Sequence, residues 1–426
     1  MELDELIVSR DVPGICVGVF SDGEERYDTA GVRSAEDPAP VTADTLFRVA
    51  SITKTVTACA LMRLVADGKV DLDERVRTYL PDFRVADEAT SAQVTVRDLA
   101  THRAGWEEPP VSMRPATEQD DGALSRGIAA LSDAAQIFPL RRYYSYNNSG
   151  FATLGRIIEV VYGLPYEDAV RACVTEPMGL GRTVFFADDA ITYPVALGHT
   201  GSPPRVVRPW RRARARTPQG GMMSTARDLI TYARRLLDAD VLAPDAVREM
   251  WRPHAAADGF ADFVGVGWHI DQLPGGLTVV GHEGLTAGFG GKLAIVPARG
   301  AAYVVLINSD SAQDVVQSIL RDLLGAPRPA PPSPPVPAPD HTPYVGTYTD
   351  GGDTPRVRAD GIMEVPEKPA QPFHFIGADE AMAGETLVRF LRDDAGAVGW
   401  LRIGGRVYRR TGGAGGTGGA GGAGGT

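Results

Sequence analysis

Residues 325–341, Gly-Ala-Pro-Arg-Pro-Ala-Pro-Pro-Ser-Pro-Pro-Val-Pro-Ala-Pro-Asp-His, are dominated by proline. Proline fixes φ and carries no N–H, so this stretch continues neither a helix nor a central strand. It reads as an extended, semi-rigid spacer that divides the chain. A long segment, 1–324, precedes it and a short one, 342–410, follows. The glycine-rich tail 411–426 has almost nothing to bury and is expected to be disordered. With 426 residues, at roughly 100–200 per domain, two or three domains are expected.

The short segment holds runs such as Tyr344-Val-Gly-Thr-Tyr-Thr, Thr386-Leu-Val-Arg-Phe-Leu and Gly399-Trp-Leu-Arg-Ile between Gly, Asp and Pro signals. That pattern predicts a small all-β module, a barrel or half-barrel. In the long segment, 14–20 and 25–32 read as paired strands, and 277–280, 292–296 and 301–308 as three more, before a helix over 311–324. The middle is helical. Ser51–Ala66 carries apolar residues at helical spacing and stops at Gly68. Thr95-Val-Arg-Asp98 reads as a capping box, and Phe151–Tyr162 as a helix ended by Gly163 and Pro165. The fold class is therefore α+β: chain ends pair into an antiparallel sheet around a helical insertion, and a small all-β domain follows.

Lys and Arg total 43 against 54 Asp and Glu, a net charge of −11, so no nucleic-acid partner is expected. No apolar run approaches the roughly 18 residues of a membrane helix. Cys16, Cys59 and Cys173 lie far apart in apolar surroundings, as core residues of a protein in a reducing compartment. The acidic start Met1-Glu-Leu-Asp-Glu-Leu lacks the positive charge of a secretory signal, and the expected location is cytoplasmic.

Chemistry concentrates in three strings. In Ser51-Ile-Thr-Lys54 the two side chains point along one helix face, a turn apart. A serine hydroxyl needs a base, and a desolvated lysine can be neutral enough to act as one. In Tyr146-Asn-Asn148, on a polar loop before a helix, a phenol near positive charge can ionise below its usual value of roughly 10 and shuttle a proton. The Asn148 amide can bond both the lysine and a substrate carbonyl. After a strand, Val279-Val-Gly-His282-Glu283-Gly284-Leu285 offers a small residue against which substrate could lie, and a backbone N–H beyond it for an oxyanion. This string is not HExxH, so no metal is indicated, and no cofactor is called for. His102, in Thr-His-Arg-Ala-Gly-Trp106, reads as a structural hydrogen-bonding residue.

Together, in this order, these strings resemble the serine β-lactamase and penicillin-binding-protein superfamily. The resemblance is to its class C branch of β-lactamases, DD-peptidases, D-aminopeptidases, esterases and transacylases. LFRVASITKT (46–55), VTVRDLATHRAGW (94–106), YNNSGFATLGRIIE (146–159) and TPQGGMMSTARDL (217–229) agree with it. The β-module resembles the lipocalin-like domain that follows in some members. The resemblance implies that Ser51 is the acylated nucleophile, that Lys54 and Tyr146 share the proton work and that Asn148 steadies the acyl group. It places His282 where other members have Lys, His or Trp, and makes the oxyanion hole from the N–H groups of Ser51 and Leu285. With all three motifs ahead of the spacer, the β-module is expected to be an accessory that supplies no catalytic group.

One residue departs from the pattern. Glu283 stands where many relatives place Thr or Ser to read a substrate carboxylate. Facing the pocket, it would repel an anionic substrate; facing away, it would solvate the strand edge. Six arginines from Arg205 to Arg216 form a local basic patch, either a solvated loop paired with surface acids or an attractor of anions. The expected activity is that of a serine acyl hydrolase on a small-molecule or peptide ester or amide. The alternatives are a transacylase or peptide cyclase that passes the acyl group to an amine or alcohol, and a non-catalytic binding protein.

Overall fold

The computed structural model describes residues 3–108, 111, 114–327, 334–336, 340–365 and 369–412. Much of the proline-rich spacer, and the tail from 413 onward, lie outside these residues.

Both ends of the long segment meet in one antiparallel sheet. From edge to edge its strands are Glu24–Gly31, Gly14–Ser21, Ala301–Ile307, Phe289–Val296, Leu277–Thr286, His269–Leu273, Phe263–Val264 and Ala255–Ala256. The central strands are apolar on both faces because both are covered. Ile15, Val17, Val305 and Ile307 pack under the helices Leu3–Ser9 and Gln313–Leu324. Cys16, Val304, Leu306 and Leu293 face the helical insertion. All three cysteines are free and buried.

At the centre of the insertion runs the helix Thr53–Ala66, entered through a tight 3₁₀ turn at Ala50–Ile52. Every residue from Thr53 to Met62 is buried, so this helix has no solvated stripe at its start. Its threonines satisfy their hydroxyls internally. Thr53 donates to Ala50 O at 2.6 Å, and Thr57 donates to Pro218 O at 2.6 Å. The helix expected over 151–162 begins earlier, at Asn148, with the Asn147 side chain accepting from Gly150 N–H at 2.8 Å. Asn148 is thus a first-turn helical residue, not a loop residue. Gly163, left-handed at φ 77°, ends that helix, and the Thr95/Asp98 capping box is formed.

The C-terminal strands, from Gly346–Thr349 to Arg406–Gly412, close into an eight-stranded barrel. Tyr344, Tyr348, Phe373, Phe375, Phe390 and Leu401 contribute to its core. The barrel is docked on the first unit. Trp400 Nε1 donates to Ile137 O at 2.8 Å, Val407 N donates to Ser145 Oγ at 3.0 Å, and Arg402 pairs with Asp258 at 2.8 Å.

The helix Asn148–Tyr162 and the turn Thr217–Gly220 touch at Gly155, where an added Cβ would lie 2.2 Å from Pro218 Cγ. Gly155→Ala should therefore lower stability by about 1–3 kcal/mol through overpacking. Urea denaturation followed by circular dichroism reads this as a lower midpoint. An unchanged midpoint would mean that the two elements part without penalty.

Candidate active site

Ser51 sits in the tight turn at the head of the buried helix, and the residue before it is backbone-strained. Ala50 has φ 45°, in the left-handed region that non-glycine residues rarely take. Lys54, one turn on, is fully buried. Its Nζ lies 3.1 Å from Ser51 Oγ, 2.7 Å from Asn148 Oδ1 and 2.6 Å from Gln219 O. Burial drives its pKa well below the ordinary lysine value, with Arg406 and Arg216 adding to the depression. A neutral amine has two hydrogens, and two carbonyl oxygens accept them here. Its lone pair is then left for the Ser51 hydroxyl.

Tyr146 hydrogen-bonds Ser51 through its side chain, and its ring centroid is 4.8 Å from Lys54 Nζ. The expectation of an easily ionised phenol is reversed. Burial pushes the Tyr146 pKa up, more strongly than its bond to Ser51 and the charge of Arg406 pull it down. Tyr146 is a protonated phenol at neutral pH.

Asn148 gives its side-chain oxygen to Lys54. Its backbone N–H donates to both Glu108 oxygens, at 3.0 and 2.8 Å, and its side chain also bonds Glu108. Burial raises the Glu108 pKa, while the nearby Arg406 opposes the rise. Arg406 lies 3.7 Å from Glu108 and 3.1 Å from Asp350. It stands at the tip of the last barrel hairpin, where Gly405 O accepts from Tyr146 N–H at 2.8 Å. The barrel therefore does more than stand by as an accessory, because it puts a cation beside the Lys54–Asn148–Glu108 group.

The third string divides by strand alternation. His282 turns toward Tyr146, with ring centroids 6.0 Å apart, and stacks on His269 at 4.4 Å. Its Nδ1 donates to Glu283 O at 2.6 Å, and its Nε2 has no partner among the described residues. Burial holds its pKa well below the usual range, so the ring is neutral. No hydrogen bond joins it to Ser51 or Lys54 among the described residues. It is a wall behind Tyr146.

Glu283 points to the opposite face. Its carboxylate takes Lys292 Nζ at 3.1 Å, from the residue directly across the ladder, and Gln317 Nε2 at 2.6 Å. Of the two orientations open from the sequence, Glu283 takes the one facing away, so it is not a substrate-binding residue and the charge repulsion has no source. Gly284 is corrected too. A Cβ there would meet Val49 O at 2.2 Å, so its smallness lets the strand abut the Ser51 turn and not a substrate. Leu285 does line the cleft with Ser51 and Asn148, and is 56% exposed.

Sequence reading missed Glu108, Gln219 and Arg406. Gln219 acts through its carbonyl, which is blind to side-chain type, although the string TPQGG pointed to its segment. His102 is structural, accepting from Asn147 N–H at 3.0 Å, with its ring 4.5 Å from that of Tyr146. Among the described residues no three His, Cys, Asp or Glu side chains converge as metal ligands.

The chain belongs to the Beta-lactamase family: the family model matches residues 2–326. Penicillin-binding protein 4 of Amycolatopsis lactamdurans is 32% identical over 378 residues, covering 83% of this chain and 97% of that protein. The solved structure of SurE superposes with a TM-score of 0.80 at 28% identity, over 96% of this chain and 97% of SurE. A D-stereospecific amidohydrolase from Streptomyces sp. superposes at 0.63 with 26% identity, over 76% and 97% of the two chains. The family, with an esterase and an amidohydrolase among the relatives, supports serine hydrolase activity in general.

Arg406→Ala should leave Glu108 buried without its countercharge, a penalty of about 1–3 kcal/mol. Adding Glu108→Gln should recover part of that loss. A double-mutant cycle on urea midpoints checks this, and additive effects would mean that the two groups are uncoupled.

Proposed function

We propose that the chain is a serine acyl hydrolase that cleaves an ester or amide through an acyl group carried on Ser51. The observation that carries this reading is the position of Lys54 Nζ, 3.1 Å from Ser51 Oγ with both of its amine hydrogens accepted elsewhere. As Ser51 Oγ bonds the substrate carbonyl carbon, its proton passes to the Lys54 amine. The Tyr146 phenol gives a proton to the leaving alkoxide or amine and is reprotonated from Lys54. The N–H groups of Ser51 and Leu285 hold the oxyanion. Water then takes the acyl group and Ser51 regains its hydrogen.

Transfer to an amine or alcohol, as in a transacylase or peptide cyclase, uses the same groups with a different acceptor. Likeness to SurE, which has also been solved with D-Leu, supports a substrate or acceptor bearing a D-residue. No helix among the described residues is long and apolar enough to cross a membrane, and the free cysteines fit a cytoplasmic setting.

A fluorophosphonate probe should add one label, on the peptide containing Ser51. Labelling that persists in Ser51→Ala would overturn the assignment. Intact-mass analysis of an ester and amide panel, with and without amines, then separates hydrolysis from transfer.

The competent form has Lys54 deprotonated, so kcat/KM should fall as pH drops through the depressed Lys54 pKa. It should hold steady from there toward alkaline pH, because the Tyr146 pKa is raised. Lys54→Ala and Tyr146→Phe should each cost about 10²–10⁴-fold, and the double variant far less than the product. A strictly multiplicative cycle would separate their roles.

A further inference from the structure

Five of the six patch arginines divide into two populations. Arg208 pairs with Glu36, Arg214 with Glu167 and Asp121, and Arg211 lies 3.9 Å from Asp188. Arg212 and Arg216 have no carboxylate partner among the described residues, and neither has Arg48, two positions before Ala50. These three line the cleft that holds Ser51, a cavity of about 120 Å³.

The Arg48 guanidinium is held over the Trp210 ring at 4.3 Å and donates to Trp210 O at 2.6 Å. Burial and the charges of Arg212 and Arg216 bring its pKa down to about 10, and burial with Arg212 lowers that of Arg216. The charges of the three guanidiniums thus act on one another. The acid whose charge reaches Arg216 is Glu108, and its carboxylate is already engaged by Asn148 N–H and Arg406. On the other wall, the strand that holds His282 offers no cation to a substrate. The imidazole is neutral, and Lys292 is spent on Glu283.

We propose that Arg48, Arg212 and Arg216 form an anion subsite that receives a carboxylate or phosphate carried by the substrate acylating Ser51. The proposal rests on the acyl-hydrolase reading. A planar, permanently charged fork suits either anion. Arg48 leads by two residues into the Ser51 turn, and Arg216 leads into the turn whose Gln219 carbonyl holds Lys54. The anion would therefore sit on the two segments that also fix the reacting groups. It would settle charge that the fold leaves uncompensated.

The test compares matched probes. On the acyl side these are p-nitrophenyl hexanoate and the mono-p-nitrophenyl ester of adipic acid. On the leaving side they are hexanoyl thioesters of pantetheine and of 4′-phosphopantetheine. The ratio of kcat/KM, anionic over neutral, should exceed one for at least one pair. Arg212→Gln or Arg216→Gln should lower that ratio about tenfold to a hundredfold, as expected for a charged hydrogen bond, while Arg212→Lys retains most of it. The pair that responds shows which side carries the anion.

If a variant fails to fold, salt decides with the unaltered protein. Screening of the subsite lowers the ratio, whereas screening of the chain's net charge of −11 would raise it. Ratios at or below one for both pairs, a ratio unmoved by either glutamine variant, or one that rises with salt would overturn the subsite. Fluorophosphonate labelling of Ser51 is scored in parallel. Its absence defeats the acyl-hydrolase reading itself, while labelling with a flat ratio defeats the subsite alone.

Discussion

Lys54 is taken wholly out of water, and the protein around it is arranged to make that tolerable. A buried ammonium without compensation is costly, and the lysine answers by favouring its neutral form. Its two amine hydrogens meet carbonyl oxygens supplied by two other elements, the helix beginning at Asn148 and the turn at Gln219. That turn is locked to the Lys54 helix by Thr57, which donates to Pro218 O, and to the Asn148 helix by the close contact at Gly155. The packing that buries the amine also favours its unprotonated form and holds it beside Ser51.

Charge is layered outward from that point. Asn148 links Lys54 to the buried Glu108, Glu108 faces Arg406, and Arg406 reaches Asp350 inside the barrel. The C-terminal module thus enters the electrostatics of the site without touching Ser51. Its hairpin backbone also fixes Tyr146, through Gly405 O. The unpaired Arg48, Arg212 and Arg216 line the cleft beside Ser51.

The Ser51–Lys54 pair was legible because one helical turn brings the two side chains together whatever surrounds them. The strands 14–20 and 301–308, the Thr95 cap and the Gly163 stop were legible for the same reason, being set by near neighbours. Glu108 and Arg406 were not, since they are nearly 300 residues apart in sequence and each alone reads as a surface charge. Asn147, one residue before the Asn148 that drew attention, caps the helix and moves its start. That shift turns Asn148 into a brace for Lys54.

Local spacing by itself determined which residues could react: a serine and a lysine on one face, a phenol and an amide ahead of a helix, a glycine after His282. Which way each one turned was a tertiary decision. Alternation says that His282 and Glu283 face opposite sides of a strand, but only the sheet's packing says which side is the cleft. Lys292 across the ladder and Gln317 on the covering helix drew the glutamate away. Tyr146 was set in the same way. Its charge neighbours suggested an acidic phenol, but burial raises its pKa, because desolvation of the phenolate outweighs the cations nearby.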